Sequence, residues 1–353
     1  MTYFINLLFV PFYYYIIQAL FRRKEKSQMI FFIVVGIHAI LFRALANPFV
    51  YTDTLRYTYA FDDIGTMNYK DAILSINQWT GWGQGYVALN WIISRFTSNP
   101  NYLFIILSVL SVGGVIWYYS KNTTVPLITM LLYLMYPMMY IMGFGVVRQH
   151  LAMVFILWAL YFANNLKISI PLAIIAVLCH TSSLVFFPFY FLRNIGITKF
   201  NSIKLIIFSI IGFLLVSWGV TLGISLASRY EEVLTEEGDQ NNIVPFIMIA
   251  SVVLMFLITG AIRKIKDMRD SYIVRFMIYG VIIAIFGMTV PRAGRLSLSF
   301  IYCMPVALSL LYKYGNKKNK DICIVYTICI FLLTSSLVML GASKYSDYHL
   351  IWK

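Results

Sequence analysis

Charge is scarce in this sequence. Only 12% of its 353 residues are Asp, Glu, Lys or Arg, against about 25% in a soluble domain. Acids are the rarest, 14 against 28 Lys and Arg, and no polar stretch is long enough to build a separate soluble core. Cysteine is scarce as well. Cys179, Cys303, Cys323 and Cys329 all lie in apolar segments without paired ligand spacing. That argues against a zinc site or a disulfide framework and leaves them as reduced packing residues. Phosphate-binding glycine loops, HExxH, GxSxG and dinucleotide fingerprints are absent. An ATP-driven pump and a soluble-type hydrolase are therefore disfavoured, and no cofactor or metal is expected. The net charge of +14 would suit nucleic acid. In a chain this apolar the surplus instead marks cytoplasmic loops, so no nucleic-acid partner is expected.

What is abundant is apolar sequence: 60% of residues are hydrophobic, with a mean hydropathy of +0.78. Candidate spans are 2–20, 29–46, 84–97, 101–119, 125–142, 145–163, 168–191, 203–227, 243–262, 272–290, 295–312 and 322–342. The chain reads as an all-α polytopic membrane protein of about 11–13 transmembrane helices in a single domain. The first apolar run meets FRRKEK with no cleavage site between, so it reads as a retained helix. The connections 22–26, 263–275 and 313–320 are basic and are assigned to the cytoplasm. Both termini, the 47–83 loop, the acidic 228–242 loop and the VPRAGR turn then lie outside. Two threadings fit the middle. If 84–97 spans, Arg148 faces inside. If 84–97 lies along the outer interface and 168–191 breaks at His180, Arg148 and His180 face outside. The 84–97 run is short and carries Asn90 and Arg95, which favours the second.

Against this apolar background a few polar groups stand out. NPFVYTDTLRYTYAFDD holds Asp53, Asp62 and Asp63 among tyrosines. Solvation accounts for Asp62, Asp63 and Asp71. Asp53 is different: in a helix, Arg56 would lie one turn away and hold it ionised, ready to take a proton from a hydroxyl. GFGVVRQHLAM sets Arg148 in the first turn of a helix, backed by Gln149 and His150. A helix start and a guanidinium fork together suit phosphate, while snorkelling to the interface is the plainer alternative. VPRAGRLSLSF repeats the design with Arg292 and Arg295 on one helix face, and pairing with the acidic loop is its alternative. LCHTSSLVFFPF places His180 in an apolar run with Ser and Thr able to satisfy a helix break.

In order, these segments are LFRALANPFVYTDTLRYTYAF, GQGYVALNWIIS, VVRQHLA, LCHTSSLV and a late arginine pair. The series resembles the EpsG family of Wzy-type polymerases of O-antigen, capsule or exopolysaccharide repeat units. It matches at Arg43, at Asp53 and Tyr57, at Gly85 and Tyr86, at Arg148-Gln149 with Leu151-Ala152, and at His180 with Ser183-Leu184. An acid often precedes the Gly-Tyr pair in the family. Here it is Gln84, which shifts the base role onto Asp53.

The resemblance implies a GT-C-like helical glycosyltransferase in the bacterial cytoplasmic membrane, with its site facing the periplasm. Donor and acceptor would be undecaprenyl-diphosphate-linked glycans, with a chain-length regulator and a flippase as further partners. Asp53 and His180 would be catalytic. Arg148, Arg292 and Arg295 would hold the diphosphate, and Arg56, Tyr57, Tyr86 and Gln149 the sugars. Two other classes compete. A lipid-linked oligosaccharide flippase should carry internal repeats, and none is found. A membrane O-acyltransferase would use a histidine with an acyl donor from the cytoplasm.

Overall fold

The structure is a computed structural model that describes residues 2–47, 52–80, 82–136, 138–195, 243–289 and 293–340, and residue 207 alone. The rest of the 203–227 span, the acidic 228–242 stretch, Arg292 and the tail carrying His349 lie outside the described residues. Among the described residues the chain is helical throughout, with no strand. It forms two compact units, one of Met1–Phe162, Leu166–Leu184 and Ile324–Lys353, the other of Ala163–Asn165 and Val185–Cys323. Three helical stretches among the described residues are long and apolar enough to cross a bilayer: Lys24–Ala44, Pro100–Asn122 and Arg295–Tyr314. Shorter apolar helices account for most of the other expected spans.

In the first unit, α1 (Thr2–Leu20) and α2 (Lys24–Ala44) form a hairpin. The Tyr13 hydroxyl lies 3.0 Å from His38 Nδ1 across it. Helix α6 (Pro100–Asn122) starts cleanly: Asn99 accepts from the Asn101 amide at 2.9 Å, and Pro100 takes the first position, where a missing N–H costs nothing. It runs antiparallel to α2, with Gly36 against Ile116 and Gly113 against Ile40. Helices α8 (Val147–Tyr161) and α9 (Leu166–Cys179) form a second hairpin, in which Ser169 Oγ donates to the Ala159 carbonyl at 2.7 Å. Trp158 Nε1 donates to the Gly114 carbonyl at 3.1 Å, and Trp117 meets Trp158 and Tyr161 edge-on, so the last turns of α6 and α8 lie together.

These pairings sort the charges carried by α2, α6, α8, α9 and their connections. Arg22, Arg23, Lys24, Lys26, Lys121 and Lys167 fall at one end. Arg43, Arg148 and His180 fall at the other.

Three expected segments take a different form. The 47–83 loop contains two helices, α3 (Thr52–Thr66) and α4 (Tyr69–Thr80). In α3 the buried residues Tyr57, Ala60, Phe61 and Ile64 recur at helical spacing, while Asp53, Arg56, Asp62 and Asp63 are exposed. The 84–97 segment is an 11-residue helix, α5 (Gln84–Ser94); at 1.5 Å per residue it reaches about 16 Å, half of a bilayer core of about 30 Å. The 125–142 segment is helical only over α7 (Pro126–Met135). Tyr136 turns extended (φ −79°, ψ 115°), as a residue before proline tends to, and here Pro137 follows. The 168–191 segment breaks at His180: α9 ends at Cys179, and a 3₁₀ segment over Thr181–Phe186 leads to the single turn α10 (Phe189–Leu192).

The second unit contains α10, α11 (Ile243–Ile258), α12 (Met268–Thr289), α13 (Leu298–Tyr314) and the start of α14 (Lys317–Leu340). Helices α12 and α13 form a hairpin closed at one end by Lys313 Nζ and the Tyr314 hydroxyl, each 2.7 Å from Asp270 Oδ2. Phe186, Phe189, Phe276 and Phe300 form its aromatic core. The Tyr279 hydroxyl donates to the Val185 carbonyl at 2.9 Å.

Candidate functional site

Arg148 is the second residue of α8, a helix whose N-terminus no side chain caps. Three rings surround its guanidinium, with centroids 5.8 Å away for Tyr57, 5.0 Å for Trp82 and 5.9 Å for Tyr86. The rings brace one another at 5.1 to 5.8 Å. Tyr57 comes from the buried stripe of α3. Trp82 and Tyr86 come from the Trp-Gly-Gln-Gly-Tyr run that opens α5. The glycines allow that run to lie flat on the end of α9: a Cβ on Gly83 would overlap the Leu178 carbonyl oxygen, and one on Gly85 would sit 2.8 Å from the Leu178 side chain.

The enclosure leaves Arg148 short of acceptors. Its one hydrogen bond is long, 3.5 Å from Nε to the Tyr57 hydroxyl, and among the described residues it has no carboxylate partner. Each cation–π contact contributes about 0.5–2 kcal/mol. Removing a charge from water costs several kcal/mol, so three rings offset the penalty at best without neutralising the charge. Arg148 is half-buried, which leaves an approach for a ligand. An anion is the ligand this arrangement favours.

A second layer supports the start of α8. Arg43, at the end of α2, is buried and donates through Nη2 to the Gly143 carbonyl. His150 is also buried and bonds the Met139 backbone. A Cβ on Gly143 would lie 2.6 Å from Arg43 Nη1 and 2.9 Å from His150 Nδ1. Tyr119, Tyr133, Tyr140 and Phe144 pack in a chain beside them.

His180 follows α9 directly, so it lies at the same end of the α8–α9 hairpin as Arg148. Its Nδ1 accepts from the Ser182 amide at 3.3 Å and lies 2.8 Å from Ser182 Oγ. An amide only donates, so Nδ1 is the acceptor and Nε2 carries the proton of the neutral ring. Cys179 is close enough to Tyr86 to act on it electrostatically. The Tyr86 hydroxyl has the Asn90 side chain beside it but completes no hydrogen bond of normal geometry among the described residues.

Asp53 is exposed in the first turn of α3 and makes no hydrogen bond or ion pair among the described residues. It stands four residues before Tyr57, about 40° around the helix and about 6 Å along it. Asp62 lies about 140° from Tyr57 on the same helix. Partial loss of hydration first, and Asp63 second, raise the Asp62 carboxyl above its ordinary value. Of the two acids, only Asp53 shares the face that leads to the cage.

The remaining expected site residues are spread more widely. Tyr57 and Tyr86, expected against sugar, are buried and face the guanidinium. Gln149 is buried and Arg56 exposed. Arg295 is exposed in a 3₁₀ turn over Ala293–Ser297 of the second unit, and Arg292 lies outside the described residues. Trp82 was missed by sequence reasoning, as was the burial of Arg43. A tryptophan one residue before a Gly-Gln-Gly-Tyr run was the available signal for the first. Among the described residues, no three His, Cys, Asp or Glu side chains gather as a metal site.

The EpsG family model matches residues 29–350, nearly the whole chain. No curated protein and no solved structure matches. The chain is thus a member of the EpsG family, a family of Wzy-like polymerases.

Proposed function

We propose that this protein is a glycosyltransferase that joins lipid-linked repeat units into a polysaccharide at the outer face of the bacterial cytoplasmic membrane. Family membership supports a polysaccharide polymerase-like role. The observation that carries the finer reading is Arg148, a guanidinium walled by three rings with no anionic partner among the described residues, at the end of the α8–α9 hairpin that also bears His180. That is a receptor for a phosphate-bearing group.

The reaction distributes over these residues as follows. A hydroxyl of the acceptor sugar attacks the anomeric carbon of the donor. The new C–O bond forms as the bond from that carbon to the diphosphate oxygen breaks. The hydroxyl proton passes to the Asp53 carboxylate. The electron pair leaves with the undecaprenyl diphosphate, whose growing charge Arg148 stabilises. His180 donates from Nε2 to a sugar or phosphate oxygen. A GT-C-like arrangement and an outward-facing site belong to this proposal. The sorting of Arg22, Arg23, Lys24, Lys26, Lys121 and Lys167 to the opposite end of the unit supports the outward placement, because cytoplasmic ends collect Lys and Arg.

A glycan gel on a deletion strain complemented with wild type, Asp53→Asn or Arg148→Ala tests the reading. The expected result is loss of the polymer ladder in both variants at normal protein level, with single lipid-linked repeats accumulating outside. A full ladder in Arg148→Ala would overturn it. Repeats trapped inside would indicate a flippase, and full-length polymer lacking acyl groups an acyltransferase.

A further inference from the structure

The second unit carries a pair of arginines at its own basic end. Arg193 directly follows α10, and Arg275 lies two turns into α12. Arg275 Nη1 donates to the carbonyl oxygen of Arg193, which draws one guanidinium onto the main chain of the other arginine. Each side chain rests over a tyrosine of its own segment, Arg193 5.7 Å from the Tyr190 ring centre and Arg275 5.8 Å from that of Tyr272. Among the described residues neither has a carboxylate partner. Asp270 is taken by Lys313 and Tyr314 at 2.7 Å each. Asp267 accepts from the amides of Arg269 and Asp270 at 2.9 and 3.1 Å.

Three guanidinium nitrogens, Arg193 Nε, Arg193 Nη1 and Arg275 Nε, are buried with no hydrogen-bond partner among the described residues. Buried donors are normally satisfied, and each exception calls for a cause. Capping of the short α10 explains one N–H of Arg275 and none of Arg193. Two cations drawn together without an anion are a standing cost that a bound oxyanion removes. Both side chains are only half-buried, which leaves a way in.

We propose that Arg193 and Arg275 together bind a phosphate group, its oxygens accepting from both guanidinium forks. Arg263, Lys264, Lys266 and Lys313 share this end of the unit. By the charge rule that end lies at the cytoplasmic surface, where phospholipid headgroups and free phosphate both occur. The proposal stands on the second unit alone and holds whatever the Arg148 site catalyses.

Arginine modification on the purified full-length protein tests it. Phenylglyoxal is applied in detergent alone, with inorganic phosphate, with phosphatidylglycerol, and with phosphatidylcholine, and modification is quantified by peptide mass spectrometry. Arg193 and Arg275 are expected to react about tenfold more slowly in the phosphatidylglycerol arm or the phosphate arm. The protecting arm names the source of the phosphate. Exposed Arg263 should react equally in all four. Equal rates for Arg193 and Arg275 throughout, or matching protection of Arg263, overturns the site. Native mass spectrometry gives a second measurement. The Arg193→Gln/Arg275→Gln double variant should lose the retained phosphate-bearing species that Arg263→Gln keeps, and unchanged retention counts against the proposal.

Discussion

A guanidinium among aromatic rings is held in place without being neutralised. Arg148 combines two requirements at one residue: a fixed position and an unspent charge. They separate by substitution. Arg148→Lys keeps the charge but loses the planar fork, and Arg148→Ala loses both. Activity should fall about a hundredfold or more in the alanine variant, the scale of one lost contact to a developing charge. The lysine variant should lie between, as read by the rate at which repeats enter polymer in membranes. Trp82 tests the cage separately. Trp82→Ala removes the closest ring, a loss of about 0.5–2 kcal/mol or roughly twofold to thirtyfold, whereas Trp82→Phe retains a ring face and most of the rate. Equal activity in Trp82→Ala and wild type would reduce the cage to packing. Arg148 was legible in the sequence because an arginine beside glycines in an apolar chain is conspicuous. The cage was not, because Tyr57 and Trp82 lie 25 positions apart and meet only through the packing of α3 on α5.

At the scale of elements, the site depends on two close approaches. Gly143 lies against Arg43 and His150, and a methyl group there would stand 2.6 Å from Arg43 Nη1. Gly143→Ala must displace the buried arginine or the start of α8, at a cost of about 1–3 kcal/mol. It should lower the thermal midpoint of the purified protein and weaken polymerisation with it. Gly113→Ala is the control, since its Cβ would meet Ile40 at an ordinary 3.6 Å, and it should leave both unchanged. The elements themselves were unevenly legible. Uniform apolar runs such as Thr2–Leu20 and Pro100–Asn122 are visible from composition. The helices of 47–83 were read as loop because hydropathy averages over their two faces; the buried spacing of Tyr57, Phe61 and Ile64 becomes informative only once a partner surface is known. The break at His180 was legible as an alternative because Ser182 and Ser183 stood ready to satisfy the interrupted backbone. The shortening of 125–142 was signalled by Pro137 alone.

At the scale of the whole molecule, the question is which face of the membrane the Arg148 end meets. The α8–α9 hairpin links the two ends of the first unit: Arg148 and His180 at one, Lys121 and Lys167 with the Trp117, Trp158 and Tyr161 cluster at the other. A threading with 84–97 as a span would turn Arg148 inward, whereas the 11 residues of α5 reach only about half of a bilayer core. Single cysteines at exposed positions decide it. Gln84→Cys, beside the cage, should react with a membrane-impermeant maleimide on intact cells, and Leu166→Cys only after permeabilisation. Both are built on a Cys329→Ser chain, because Cys329 is exposed while Cys179, Cys303 and Cys323 are buried. The reversed pattern would carry the basic turn at 22–26 to the outside, against the charge rule. It would also leave the Arg148 cage intact as an anion site while removing it from the face where lipid-linked repeats are joined, so the cage and the polymerase reading stand or fall by separate measurements.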